Sequence, residues 1–210
     1  MVKSSENEKS TEEQIFDAAR EVFLEKGFDG TRMQDISERA GINKALLHYY
    51  YRTKEKLFAA IFEIVMKQAI PGVVKFMESD APLFEKIEVF VENYITIIHK
   101  NPTIPSFVIN EINRNPEGIA NTFRKIFEKN ESPFKKFEAV VKKEIEVGVI
   151  EPIKAEQLVV NMIAMCIFPF VARPILQAII FEGDKKKYDG FIDERKKEVS
   201  QFIINSIKKR

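Results

Sequence analysis

Tryptophan is absent from this 210-residue chain, cysteine occurs once, histidine twice and glycine only eight times. Each scarcity removes a class of chemistry. With Cys166 alone there is no intrachain disulfide, which fits a reducing compartment. One cysteine with His48 and His99 gives none of the usual metal-ligand spacings. Cys166 also lies in an apolar segment, where a thiol reads as packing rather than as a nucleophile. So few glycines leave no glycine-rich phosphate loop. Glu144 and Glu146 fall on different sides of a helix and read as solvated charge. No group has a visible catalytic partner, so neither an enzyme, a cofactor nor a metal is expected. Long hydrophobic runs are missing as well. The longest uncharged stretch, Gln157 to Ala172, has 16 residues and contains Asn161 and Pro169. A spanning helix needs about 20 mainly apolar residues, so this reads as a buried helix and no membrane partner is expected. The opening MVKSSENEKSTEEQ is polar and lacks a signal peptide's apolar core, so a cytoplasmic location is expected. Net charge is only +1, so any nucleic-acid surface must come from local arrangement.

What is present is helical periodicity, nearly unbroken, with 45% hydrophobic residues to fill a core. Ile15, Ala18, Ala19, Val22 and Phe23 share one face of a first helix. Thr11 with Gln14 has the spacing of a capping box, and Gly27 is the expected stop. Thr31 with Gln34 repeats that signature before Met33, Ile36 and Ala40, and Gly41 ends the second helix. Asn43 can cap a third, from Lys44 to about Tyr50. Thr53 opens a fourth, with Leu57, Phe58, Ile61, Phe62 and Val65 on its apolar side; Pro71 and Gly72 disturb it, and a loop from Glu78 to Pro82 follows. Longer amphipathic helices come next, punctuated by Asn101-Pro102, Asn115-Pro116, Ser132-Pro133 and a turn at Gly148 to Pro152. Pro169 and Pro174 are expected to bend the apolar helix after Ala155, because each lacks a donor and crowds a carbonyl. Val199, Phe202, Ile203 and Ile207 mark the last helix. The fold class is all-α.

Residues 31 to 51 have the layout of a helix-turn-helix: a short capped helix, a glycine turn and a second short helix. In that arrangement the second helix enters the major groove. Between Thr31 and Lys56 there are six cations (Arg32, Arg39, Lys44, Arg52, Lys54, Lys56) against three acids (Asp35, Glu38, Glu55), while residues 1 to 30 are acidic. Positive charge is thus confined to the part that would face phosphate. In the string His48-Tyr49-Tyr50-Tyr51, hydroxyl and imidazole groups can donate to phosphate oxygens, with Tyr51 expected to pack inward. Lys54 opposes the dipole of the helix it begins, and a bound phosphate would offset this.

These residues resemble the DNA-binding domain of TetR-family repressors from Ile15 through Phe62. The matching pieces are Ala18-Ala19 to Phe23, Gly27-Phe28, Thr31, Asp35-Ile36, Ala40-Gly41-Ile42, Leu47, Tyr50-Tyr51 and Thr53-Lys54-Glu55-Lys56-Leu57. They cover about a quarter of the chain. The resemblance implies a homodimer whose two recognition helices each read half of a palindromic double-stranded DNA operator. By position, Thr31, Tyr50 and Lys54 match phosphate contacts, and Lys44, Ala45 and Tyr49 match groove-facing sites. Arg32, Asn43 and His48 complete the candidate interface. The family often has tyrosine at His48 and serine or threonine at Asn43 and Leu46, so operator sequence does not transfer.

The resemblance divides the chain into a flexible tail, 1–10, a three-helix DNA-binding domain, 11–56, and a ligand-binding and dimerisation bundle, 57–210. Fifteen of 18 phenylalanines lie after residue 57, and such a bundle can enclose an apolar pocket. Phe62, Met66, Phe90, Tyr94, Phe107, Phe123 and Phe127 are the candidate lining for a small, largely apolar effector. Helices at about 155–181 and 191–208 are the implied dimer contacts, the first being apolar around most of its circumference. Two other readings stand beside this one: a helical carrier of an apolar ligand without specific DNA binding, and an architectural DNA binder without an effector.

Overall fold

The computed structural model describes residues 10–64, 66, 80–102, 104–127 and 133–209, with the side chains of 126 and 127 excepted. The 1–9 tail, Val65, Pro71, Gly72, the start of the 78–82 loop, Ser132 and the side chain of Phe127 lie outside the described residues. The chain divides between residues 67 and 68 into two compact units, and the described part of both is helical.

The smaller unit opens with α1, Thr11–Gly30. Its cap is Ser10, one residue before the expected Thr11. The Ser10 side chain accepts from the Glu13 N–H at 3.2 Å, and the Glu13 carboxylate accepts from the Ser10 N–H at 2.8 Å. Gly27 does not end the helix as expected. It stands at φ 68°, ψ 177° as a kink, with helical geometry resuming to Gly30, a conformation open to glycine because it has no Cβ. α2, Met33–Arg39, ends one residue before the Ala40–Gly41 turn, and Gly41 takes a φ of 67°. α3, Lys44–Tyr50, is capped by Asn43, whose side chain accepts from the Leu46 N–H at 2.7 Å. α4 covers 54–64, and the Thr53 hydroxyl accepts from the Lys56 N–H.

Every helix puts apolar side chains into one small core: Ile15, Ala19, Val22 and Phe23 from α1, Ile36 from α2, Leu47 from α3, and Leu57, Phe58 and Ile61 from α4. Phe58 meets Phe23 and Phe28 edge-on, with centroids 5.0 and 5.1 Å away. Leu57 to Phe62, expected at the head of the larger domain, therefore sit with the smaller unit, because their apolar face is buried against α1. At its surface Arg39 reaches back to Glu21 and Glu25 on α1, and Lys26 pairs with Asp35.

The larger unit contains α5 Leu83–Lys100, α6 Ile104–Arg114, α7 Pro116–Phe127, α8 Pro133–Glu146, α9 Ala155–Val171, α10 Arg173–Ile179 and α11 Lys185–Ile207. α11 lies along α5, and α9 packs on both and on α6 and α8. Ile87, Val91 and Ile95 of α5, Phe137 of α8, Leu158, Met162 and Cys166 of α9, and Tyr188, Ile192 and Ile203 of α11 form the shared core. Fully burying one such large side chain contributes about 1.5–3 kcal/mol before entropy is subtracted. The expected 155–181 helix is two helices, bent by 66° at Ala172. Pro169 stays inside α9, whereas Pro174 begins α10, since a missing N–H is harmless in a first turn. The last helix begins at Lys185 rather than near 191, with Asp184 accepting from the Lys186 and Lys187 N–H groups. No single helix among the described residues is long and apolar enough to cross a membrane.

Candidate nucleic-acid interface

α3 separates its side chains by facing. Leu47 is fully buried and Leu46 half-buried, which anchors one side of the helix. Lys44, Ala45, His48 and Tyr49 follow the spacing of the opposite side and are all exposed, Tyr49 to 81%. An exposed tyrosine of that degree on a short, internally anchored helix is a side chain presented outward rather than a core residue left uncovered. Tyr50 is 40% exposed and meets Tyr49 edge-to-face at 5.6 Å. The Nδ1 of His48 lies 3.3 Å from the Arg52 carbonyl, which holds the imidazole at the end of α3. Tyr51 turns inward as expected: its hydroxyl donates to Glu12 Oε1 at 3.4 Å. Burial, reinforced by the Glu12 carboxylate, raises its phenol above the ordinary range. Asn43 and Arg32 are exposed at the N-terminal ends of α3 and α2.

Two expected phosphate contacts also bind main-chain oxygens. Thr31 is 1% exposed. Its hydroxyl donates to the Gly27 carbonyl at 2.6 Å, and its N–H donates to the Phe28 carbonyl at 3.3 Å. Its donors thus close the C-terminal end of α1, and the capping role expected for it falls to Asp35, which accepts from the Arg32 N–H at 3.1 Å. Lys54 donates to the Phe28 carbonyl at 2.8 Å and the Thr31 carbonyl at 3.1 Å, with its ammonium 4.2 Å from the Phe28 ring centroid. The conflict between this charge and the α4 dipole is therefore offset by carbonyls at the negative end of α1 and by the ring face. Sequence spacing could not show this, because the partners lie 23 and 26 residues away. Lys54→Met is expected to remove about 1–2 kcal/mol of unfolding free energy. A lysine that served phosphate alone would leave the urea midpoint where it was and change only the salt dependence of DNA binding.

The local charges sort in the same way. A hydrogen bond from Arg39 holds the Glu25 carboxyl below its usual range, and Glu25 and Glu21 raise the guanidinium in turn. The Arg32 N–H, followed by the Lys26 ammonium, holds Asp35 low. Arg39 is thus tied to the acidic α1. Lys44 and Arg52 are exposed and, among the described residues, have no carboxylate partner. Arg52, counted in the charge tally but not among the candidate contacts, belongs beside α3 in space.

The aromatic candidates for the pocket fall on several helices. Phe62 stacks on Phe58 at 6.3 Å within the smaller unit, and Met66 is buried. Phe90 and Tyr94 stack on each other at 5.3 Å, Phe107 is buried, and Phe123 is half-buried.

Known proteins match this architecture. Residues 15–61 fit the family model described as bacterial regulatory proteins, tetR family. The HTH-type transcriptional regulator RutR of Escherichia coli K12 is 38% identical over 69 residues, 33% of this chain and 32% of RutR. IcaR of Staphylococcus epidermidis, the biofilm operon icaADBC HTH-type negative transcriptional regulator, is 29% identical over 117 residues, 52% of this chain and 63% of IcaR. The chain thus spans about a third of the length of RutR. The crystal structure of the transcriptional regulator FadR of Bacillus subtilis in complex with stearoyl-CoA superposes with a TM-score of 0.65 at 14% identity, over 92% of this chain and 97% of that one. At that identity the likeness is one of fold.

Proposed function

We propose, from the match of residues 15–61 to the family model of bacterial regulatory proteins, tetR family, that the chain is a cytoplasmic repressor of that family binding a palindromic operator as a homodimer. The outward face of α3 carries the proposal: Lys44, Ala45, His48 and Tyr49 are exposed together while Leu47 anchors the other side. Lys44 and Tyr49 read base edges, and Arg32, Asn43, His48 and Tyr50, with Arg52 added, hold the phosphates. Thr31 and Lys54 keep the end of α1 in place beneath them.

Exposed apolar side chains on three helices of the larger unit support the dimer: Val160 and Phe168 on α9, Ile175 and Ile179 on α10, and Phe202 on α11, each about 60% exposed or more. Large apolar groups left exposed on helices that adjoin one another suit a contact surface, and a second copy gives it isologous closure. The effector is a small, largely apolar molecule in the larger unit, with Phe90, Tyr94, Phe107 and Phe123 as candidate contacts. The stearoyl-CoA held by FadR supports a lipid-like class. Effector and operator are linked, so a coupling of about 1–3 kcal/mol changes operator affinity about 5–150-fold, and DNA weakens effector binding by the same factor.

The test is binding of the purified protein to its own upstream DNA and to random DNA at two salt concentrations. Selective binding to a palindrome, lost on Tyr49→Ala, is the expected result. Weak binding that ignores sequence would overturn the operator and favour a carrier of apolar ligands.

A further inference from the structure

α10 is an apolar helix with no buried residue of its own. Ile175, Ile179 and the neighbouring Ile180 are 63, 75 and 62% exposed. With Leu176 only half-buried, core packing does little to set where this helix points, and its position depends on how it is joined to α9 and held by α11. The join is an elbow of 66°, with Ala172 at φ −88°, ψ 9°.

Prolines on either side of the elbow leave carbonyls without their helical donors. Pro169 has no N–H, so the Met165 carbonyl, one turn earlier, loses its ordinary partner. α11 supplies a replacement: Arg195 donates to that oxygen twice, from Nε at 3.2 Å and Nη2 at 2.9 Å. One turn on, the Pro169 carbonyl lies where α9 runs out. There the buried Tyr188 hydroxyl donates to it at 3.1 Å. Tyr188 and Arg195, two turns apart on α11, thus grip two carbonyls one turn apart on the antiparallel α9. Tyr188 also reaches across the elbow: Arg173, the first residue of α10, lies over its ring at 4.9 Å. Within α11, Arg195 lies over the Phe191 ring at 5.5 Å. Phe181, just beyond α10, meets both Tyr188 and Phe191.

We infer that Arg195 is a positioning residue that stands in for the donor Pro169 lacks, and that with Tyr188 it fixes the elbow presenting Ile175 and Ile179 to a second copy of the chain. The grip on the Met165 carbonyl belongs to the fold of one chain. The link to a second copy rests on the dimer face proposed above.

The experiment compares full-length wild type with Arg195→Met, Pro169→Ala, Pro169→Ala/Arg195→Met and Ile179→Glu by thermal melting and sedimentation equilibrium. Arg195→Met is expected to lower the melting midpoint by about 3–6 °C and to raise the dimer dissociation constant at least tenfold. Because alanine is more favourable than proline inside a helix by itself, Pro169→Ala alone is the reference for the double variant. Arg195→Met is expected to lower the midpoint much less in the Pro169→Ala background than in the wild type, because the N–H that alanine brings serves the Met165 carbonyl. A role in packing or surface charge would lower the midpoint equally in both backgrounds, and that result would overturn the carbonyl assignment. An unaltered dissociation constant in Arg195→Met, with Ile179→Glu monomeric, would overturn the link from elbow to interface. Should Ile179→Glu stay dimeric, the proposed face itself is wrong, and the melting comparison still decides the role of Arg195.

Discussion

Phe58→Ala is expected to unfold most of the smaller unit at 37 °C. The side chain is 3% exposed and touches the rings of Phe23 and Phe28 edge-on. Removing a buried phenylalanine costs about 3–5 kcal/mol through lost burial and the cavity left behind. Edge-to-face ring pairs add about 0.5–1.5 kcal/mol each beyond the area they bury. Whole domains are stable by only about 5–15 kcal/mol, and a four-helix unit of this size stands at the low end. Helical circular dichroism should lose the portion due to α1–α4, and operator binding should vanish with it. A loss below about 1 kcal/mol in a urea titration would mean that the three rings do not hold α4 to α1. Since α2 and α3 bury only Ile36, Ser37 and Leu47 between them, the geometry of the DNA face depends on this aromatic contact more than on anything in the face itself.

Alkaline solution should destabilise the larger unit well before it affects an average protein. Burial pushes the Cys166 thiol up to about 12, and burial, with Cys166 nearby, pushes the Tyr94 phenol up to about 12. In the unfolded chain the same groups ionise near ~8.5 and ~10. Both pKa values are thus raised on folding. The stability they contribute is complete below about pH 8.5 and is lost as pH climbs toward 12, because only the unfolded chain releases these protons. Each pKa unit corresponds to about 1.4 kcal/mol, so the loss by pH 12 reaches several kcal/mol. The urea midpoint should fall steadily from pH 8.5 upward, and Cys166→Ala should remove the earlier part of the fall, up to about pH 10. A midpoint that is flat over that range in the wild type would show that the thiol is already solvated in the folded chain. The same burial predicts that a thiol reagent modifies Cys166 only on unfolding.

Local signals were legible in the sequence to the extent that they act locally. Asn43 capping α3, Thr53 opening α4, Gly41 in the left-handed turn and Tyr51 turning inward all rest on neighbours within a few residues or on helical facing, and the structure has them. Thr11 failed as a cap by one residue because Ser10 offers the same hydroxyl with Glu13 at the reciprocal spacing. Gly27 has the expected conformational freedom but uses it for a kink, with the Thr31 hydroxyl donating to the Gly27 carbonyl and the Lys54 ammonium to the Phe28 and Thr31 carbonyls beyond it. Charge and polarity alone suggested phosphate for Thr31 and Lys54. Their partners within the chain are main-chain oxygens, which carry no residue-specific signal in a sequence. The elbow at Ala172 was half visible: two prolines announce a bend, but which one breaks the helix depends on a donor from Arg195, 30 residues away.

The aromatic inventory also decides how the molecule can be observed. Without tryptophan, intrinsic emission comes from five tyrosines, and the fold divides them cleanly. Tyr49, Tyr50 and Tyr51 stand in sequence at the end of α3, two of them open to solvent, whereas Tyr94 and Tyr188 belong to the core of the larger unit. Quenching that reaches the first group samples the face offered to DNA, and emission that resists it samples the bundle. The unlabelled chain thus carries a separate optical reporter in each of its two units.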